Sequence, residues 1–123
     1  MPYSIDFESH PPLLRLTLTG FWDQETLAAF GRDLRRAVPE FRKSHPRHAT
    51  LTDASGFRVQ AGDVIAGFER IKQLGRAMKA GRSAIVVSGA LARMQATRAV
   101  VDDSTQVFEN EAEALAWLER GPA

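Results

Sequence analysis

Along this chain the period of the hydrophobic pattern switches repeatedly between two and about 3.6, and that alternation restricts the fold more than any single motif. "YSIDFE" places Tyr3, Ile5 and Phe7 on one face, and "LLRLTLT" does the same for Leu14, Leu16 and Leu18, with Arg15, Thr17 and Thr19 opposite. Two such runs joined by "SHPP" predict an antiparallel hairpin. Asp23 is the expected N-cap of a first helix, with Gln24 and Glu25 in its first turn. Leu27, Phe30, Leu34, Val38 and Phe41 then recur at helical spacing. Pro39 predicts a kink or break near Ala37–Val38, because it lacks the backbone donor a helix needs there.

After the "SHPRH" loop, "ATLTDA" reads as a short buried strand and "DASG" as the turn that ends it. A second helix is expected from about Gly62 to Lys79, striped by Val64, Phe68, Ile71, Leu74 and Met78. "RSAIVVS" has the continuous apolar character of a strand covered on both faces. "ALARMQATRA" reads as a short helix and "TQVFE" as a brief strand. "NEAEALAWL" is a helix opened by Asn110 and Glu113 in a capping-box arrangement. The order is ββαβαβαβα, an α/β chain with a mixed sheet of about five strands, opened by an antiparallel hairpin and flanked by about four helices. The expected core holds Leu16, Leu18, Leu34, Leu51, Phe68, Ile71, Ile85, Val87 and Leu115.

With 123 residues and 44% apolar content, residues 1–123 form one domain with enough chain to bury a core. The absence of cysteine removes disulfides, thiol chemistry and Cys-based zinc sites. No signal peptide or membrane-spanning run is evident, so a cytoplasmic location is expected. The net charge of +1 hides an asymmetry: residues 32–98 carry fourteen Lys/Arg and five Asp/Glu, residues 99–123 one Arg and six acids. Such a basic middle could meet an anionic polymer or membrane, but no aromatic-interleaved reading motif accompanies it, which disfavours nucleic acid. Arg32, Arg35, Arg36, Arg42 and Lys43 fit the charged outer face of a helix packed on a sheet. Trp22 and Trp117 fit core or rim packing better than ligand platforms.

Candidate chemistry gathers at strand ends. Asp53 and Ser55 follow the third strand; Ser88 and Gly89 follow the fourth, with Arg93 one turn later. If those strands are parallel neighbours, these residues converge where open α/β sheets bind ligands, and the Gly89 region could offer backbone N–H groups to an anion. The same residues are explained by turn formation at Asp53 and Ser55 and by helix capping at Ser88. A hydrolase triad is excluded geometrically, since a strand places His48 ~15 Å from Asp53. His45 and His48, in "HPRH", read as a solvent loop without a third metal ligand. "VVSGALAR" lacks the second glycine and the lysine of a P-loop. Gly67 and Gly75 interrupt the second helix, which close approach of helix and sheet explains about as well as a ligand would. No catalytic residue, metal site or cofactor is assigned.

"LTLTGFWDQETLAAF", "LTDASGF", "AIVVSGA" and "TQVFENEAEALAWL", in this order, make the chain resemble the STAS-type domains of bacterial anti-sigma-factor antagonists, in particular the SpoIIAA-like branch. The resemblance implies a mixed sheet flanked by helices and a signalling role in which the domain binds a protein partner or a small apolar or anionic ligand, a lipid-like one included. A monomer or a homodimer is expected. In kinase-regulated antagonists a serine at the start of helix two accepts phosphate; the matching segment here, "QAGDV", has no hydroxyl. Asp63 in that segment could supply a fixed negative charge to a partner, or simply favour the helix start. The alternative to a binding module is a small enzyme using Asp53 in a strand-end crevice. Asp53 is expected to bond nearby backbone in the turn; found in mid-strand or inside a helix, it would make both the register and the family match wrong.

Overall fold

The computed structural model describes residues 2–77 and 81–120, less the side chains of 74–77 and 100. The hairpin forms as its alternation dictates: β1 (Tyr3–Ser9) pairs antiparallel with β2 (Pro12–Gly20). Then come α1 (Gln24–Ser44), β3 (Ala49–Phe57), α2 (Gly62–Ala77), β4 (Ser83–Val87), α3 (Ala90–Val100), β5 (Thr105–Phe108) and α4 (Glu111–Glu119). The sheet runs β1-β2-β3-β4-β5, with every pair after the first parallel.

Each face of the sheet has its own apolar layer. Leu14, Leu16 and Leu18 of β2 join Trp22, Leu27, Phe30, Val38, Ala54, Val64 and Val87 on the face covered by α1, α2 and α3. Leu13, Leu51, Ala84 and Val86 meet Ala114 and Leu118 of α4 on the other. α4 lies mainly over β3, β4 and β5. The β1–β2 half of its face carries polar residues, and Arg15 there bridges Glu8 (2.9 Å) and Glu111 (3.1 Å). The predicted caps are present: Asp23 Oδ1 accepts from Thr26 N, and Asn110 Oδ1 from Glu113 N.

Four expectations need correction. α1 is continuous through Pro39; the missing N–H removes one hydrogen bond, to the Arg35 carbonyl, without ending the helix. β3 does not stop at "DASG" but carries it in mid-strand as a bulge. Thr17 pairs with Asp53 and Thr19 with Gly56, so Leu18 of β2 faces two residues of β3. Gly67 marks close approach of two helices rather than of helix and sheet, since a Cβ there would lie 2.2 Å from Leu27 Cδ2 of α1. The surroundings of Gly75, and the stripe positions Leu74 and Met78, fall outside the described side chains. Finally, Leu16, Leu18, Leu51 and Val87 are buried as expected, but Leu34, Phe68, Ile71, Ile85 and Leu115 are only partly so.

Candidate functional site

The incomplete burial of Leu34, Phe68, Ile71 and Ile85 has one cause: all four line a cavity of about 950 Å³ between the sheet and the α1–α3 layer. α4 packs directly on its strands, whereas α2 makes its main contacts with α1 and α3. Apolar side chains at core positions are left facing open space.

The sheet register organises the cavity floor into rungs. Leu14, Thr50, Ser83 and Thr105 align at the amino end of the parallel strands; Leu16, Thr52 and Ile85 follow; Ala54 and Val87 come last, beside Leu18. Hydroxyls therefore lie at one end and hydrocarbon at the other. The polar end also holds Lys72, whose Nζ lies 2.8 Å from Asp102 Oδ2, with side chains 19% and 15% exposed. Asp102 accepts from Ser104 N and Oγ as well. Burial alone would push its carboxyl up, but the Lys72 ammonium and the Ser104 donors outweigh it and hold the group at about 2.

His48 is no solvent-loop residue. It is 5% exposed, continues the cavity-facing series of Thr50, Thr52 and Ala54, and meets the Phe41 ring edge-on. Burial lowers its pKa and favours the neutral ring; Nδ1 lies 3.2 Å from the Ala49 carbonyl and Nε2 has no hydrogen-bond partner. Gly81 passes so near that a Cβ would sit 2.5 Å from the His48 carbonyl oxygen, and its φ of 136° suits glycine.

Gln95 of α3 also lines the cavity, and it is bonded to Gln60 of the β3–α2 loop. Gln60 Oε1 accepts from Trp22 N, Gln60 Nε2 donates to the Gly20 and Arg58 carbonyls, and the Gln60 backbone is held by Gln95. Sequence reasoning missed both glutamines, because a polar residue in a loop, like Gln60, or on a short helix, like Gln95, is ordinarily solvated. His48 had a usable signal in its parity with Thr50 and Thr52.

The six residues singled out from sequence do not form one site. Asp53 Oδ1 accepts from Ser55 N (3.0 Å) and Ser55 Oγ (2.6 Å), bracing the bulge. Asp53 shares strand parity with Leu51, which faces α4 rather than the cavity. Asp63 lies exposed in the first turn of α2 and accepts from Val64 N. Arg93 pairs with Glu109. The N-cap of α3 is Gly89, with no side-chain cap, so Ser88 does not cap it. Besides the Asp53–Ser55 pair, only Ser88 and Gly89 come together, in a shallow depression with Phe21, Val59 and Leu91. Among the described residues no group of His, Asp or Glu could hold a metal ion, and no helix is long and apolar enough to cross a membrane.

No family model and no curated protein matches the chain. Among solved structures it is similar to a protein of the DUF3478 family from Shewanella loihica PV-4, described as having a SpoIIAA-like fold. The identity is 19% and the TM-score 0.68, over 94% of this chain and 93% of that one. The fold is SpoIIAA-like. A mid-strand Asp53 thus overturns the strand boundary but not the fold.

Proposed function

We propose that this is a STAS-like binding module whose site is the cavity between sheet and helices, and that it takes a small, mainly apolar molecule there. The observation that supports this reading is the placement of Leu34, Phe68, Ile71 and Ile85 around about 950 Å³ of open space, at the upper end of the range for ligand pockets. A domain selected for packing alone would fill such a volume. The enzyme alternative loses its candidate, since the Asp53 carboxylate is engaged by Ser55.

Thermal denaturation with a panel of apolar compounds tests the reading, because a ligand of the native state raises Tm. Replacing Ala96, which faces the cavity, by Phe should abolish the shifts while leaving the unliganded protein folded. Shifts that persist undiminished in Ala96→Phe would place binding elsewhere.

A second reading, partner binding, is favoured by Phe21 and Leu91, which are 63% and 70% exposed around the strand-end depression. Asp63 at the start of α2 would add a fixed negative charge to such a surface. Loss of a co-purifying partner on Leu91→Glu, with ligand binding intact, would support it.

A further inference from the structure

The polarity of the cavity wall carries the reading further. The floor grades from the hydroxyl rung of Thr50, Ser83 and Thr105 to the hydrocarbon of Leu18, Ala54 and Val87. At the α1–α2 seam Arg35 lines the cavity. Its Nη1 lies 3.4 Å from where a Gly31 Cβ would be, and Ile71 Cδ1 lies 4.0 Å from that same point. Both therefore lie against the Gly31 backbone, which places the guanidinium at the seam, near the residue that precedes Lys72. Among the described residues Arg35 has no acidic partner, whereas Lys72 is already matched by Asp102.

A guanidinium with free donors beside an apolar chamber suits a carboxylate, whose two oxygens match its fork. A chain of methylenes attached to that carboxylate would follow the floor toward Leu18. Arg58 also lines the cavity, but at the apolar end, where its neighbours are Phe21, Phe57 and Val59. Gln95 lines the cavity too, and Gln60 bonds both to it and to the Arg58 carbonyl.

We infer that the cavity binds a long-chain carboxylate, its head held by Arg35 at the α1–α2 seam and its tail over Leu16, Ile85 and Phe68 toward Leu18 and Val87. This rests on the cavity being the ligand site. The expected behaviour separates head from tail. Laurate, lauryl alcohol and methyl laurate should all displace a neutral apolar dye from the protein, laurate at roughly tenfold lower concentration.

Arg35 is exposed, so Arg35→Gln should fold normally, lose most of laurate's advantage and leave the alcohol and ester unchanged. Arg36→Gln, exposed on the same helix and outside the cavity lining, should change none of the three. Equal displacement by all three in the unmodified protein would overturn the head-group assignment and leave the cavity reading intact. Retention of the laurate advantage in Arg35→Gln, or its loss in Arg58→Gln instead, would likewise overturn it. Displacement by none of the three would remove both.

Discussion

The side-chain amide of Gln95 reads the backbone of Gln60 as a neighbouring strand would: Oε1 accepts from Gln60 N at 2.9 Å and Nε2 donates to Gln60 O at 2.9 Å. Gln60 in turn satisfies Trp22 N and the carbonyls of Gly20 and Arg58 with its own amide. Two side chains thus join the β2–α1 loop, the β3–α2 loop and α3. Gln60→Ala removes three of these bonds and leaves groups in a buried environment unpaired, so it should cost about 2–4 kcal/mol. Gln95→Ala removes two bonds rather than three and should cost about 1–2 kcal/mol. Urea unfolding of both variants checks the order.

The two faces of the sheet should respond differently to truncation. Leu51 is 0% exposed beneath α4, and Leu51→Ala should cost about 2–5 kcal/mol. Ile85 borders existing open space, so Ile85→Ala creates little new void and should cost about 1 kcal/mol. Equal losses on chemical denaturation would mean that the α1–α3 face is as tightly packed as the other.

Gly67 lets α2 approach Leu27. A Cβ at 2.2 Å from Leu27 Cδ2 must displace a buried side chain, so Gly67→Ala should cost about 1–3 kcal/mol despite its better helix propensity. Leu27 is the obstacle, so Gly67→Ala should cost far less in a Leu27→Ala background, a coupling that a double-mutant cycle measures.

Two titrations should give separate pH limbs. Burial lowers the His48 pKa below its ordinary 6.5, so the unfolded chain binds the extra proton first. Stability is full above pH ~6.5 and declines as pH falls below it; His48→Phe should flatten that limb. Asp102 runs lower: its pKa falls from 3.8 to about 2 on folding, so its contribution is present above pH ~4 and lost as pH falls toward 2. Asp102→Asn should remove that second limb. Tm measured against pH distinguishes the two.

The architecture was legible because period and order act over whole segments. Leu14, Leu16 and Leu18 declare a half-buried strand, and Asp23 and Asn110 declare the starts of their helices. What escaped depends on relations across the fold. "DASG" has turn composition, but pairing with β2 on one side and β4 on the other holds it extended, with the misfit absorbed by a bulge opposite Leu18. Pro39 costs α1 a hydrogen bond, yet Val38 and Phe41 on either side still pack inward. The cavity was invisible for a simpler reason. Phe68 and Ile85 look the same in sequence whether they touch a neighbour or face a void.

The uneven cover of the sheet also bears on where the molecule opens. Beneath α4, Leu51, Ala84 and Ala114 are completely buried, while α2 leans on other helices over a chamber. Amide protons of β3 and β4 should therefore exchange with solvent only when the whole domain unfolds, and those of α2 through smaller and more frequent openings. A molecule entering the chamber would slow exchange along α1, α2 and α3 and leave α4 as it was. The strands beneath α4 act as the fixed wall of a container whose other wall can swing.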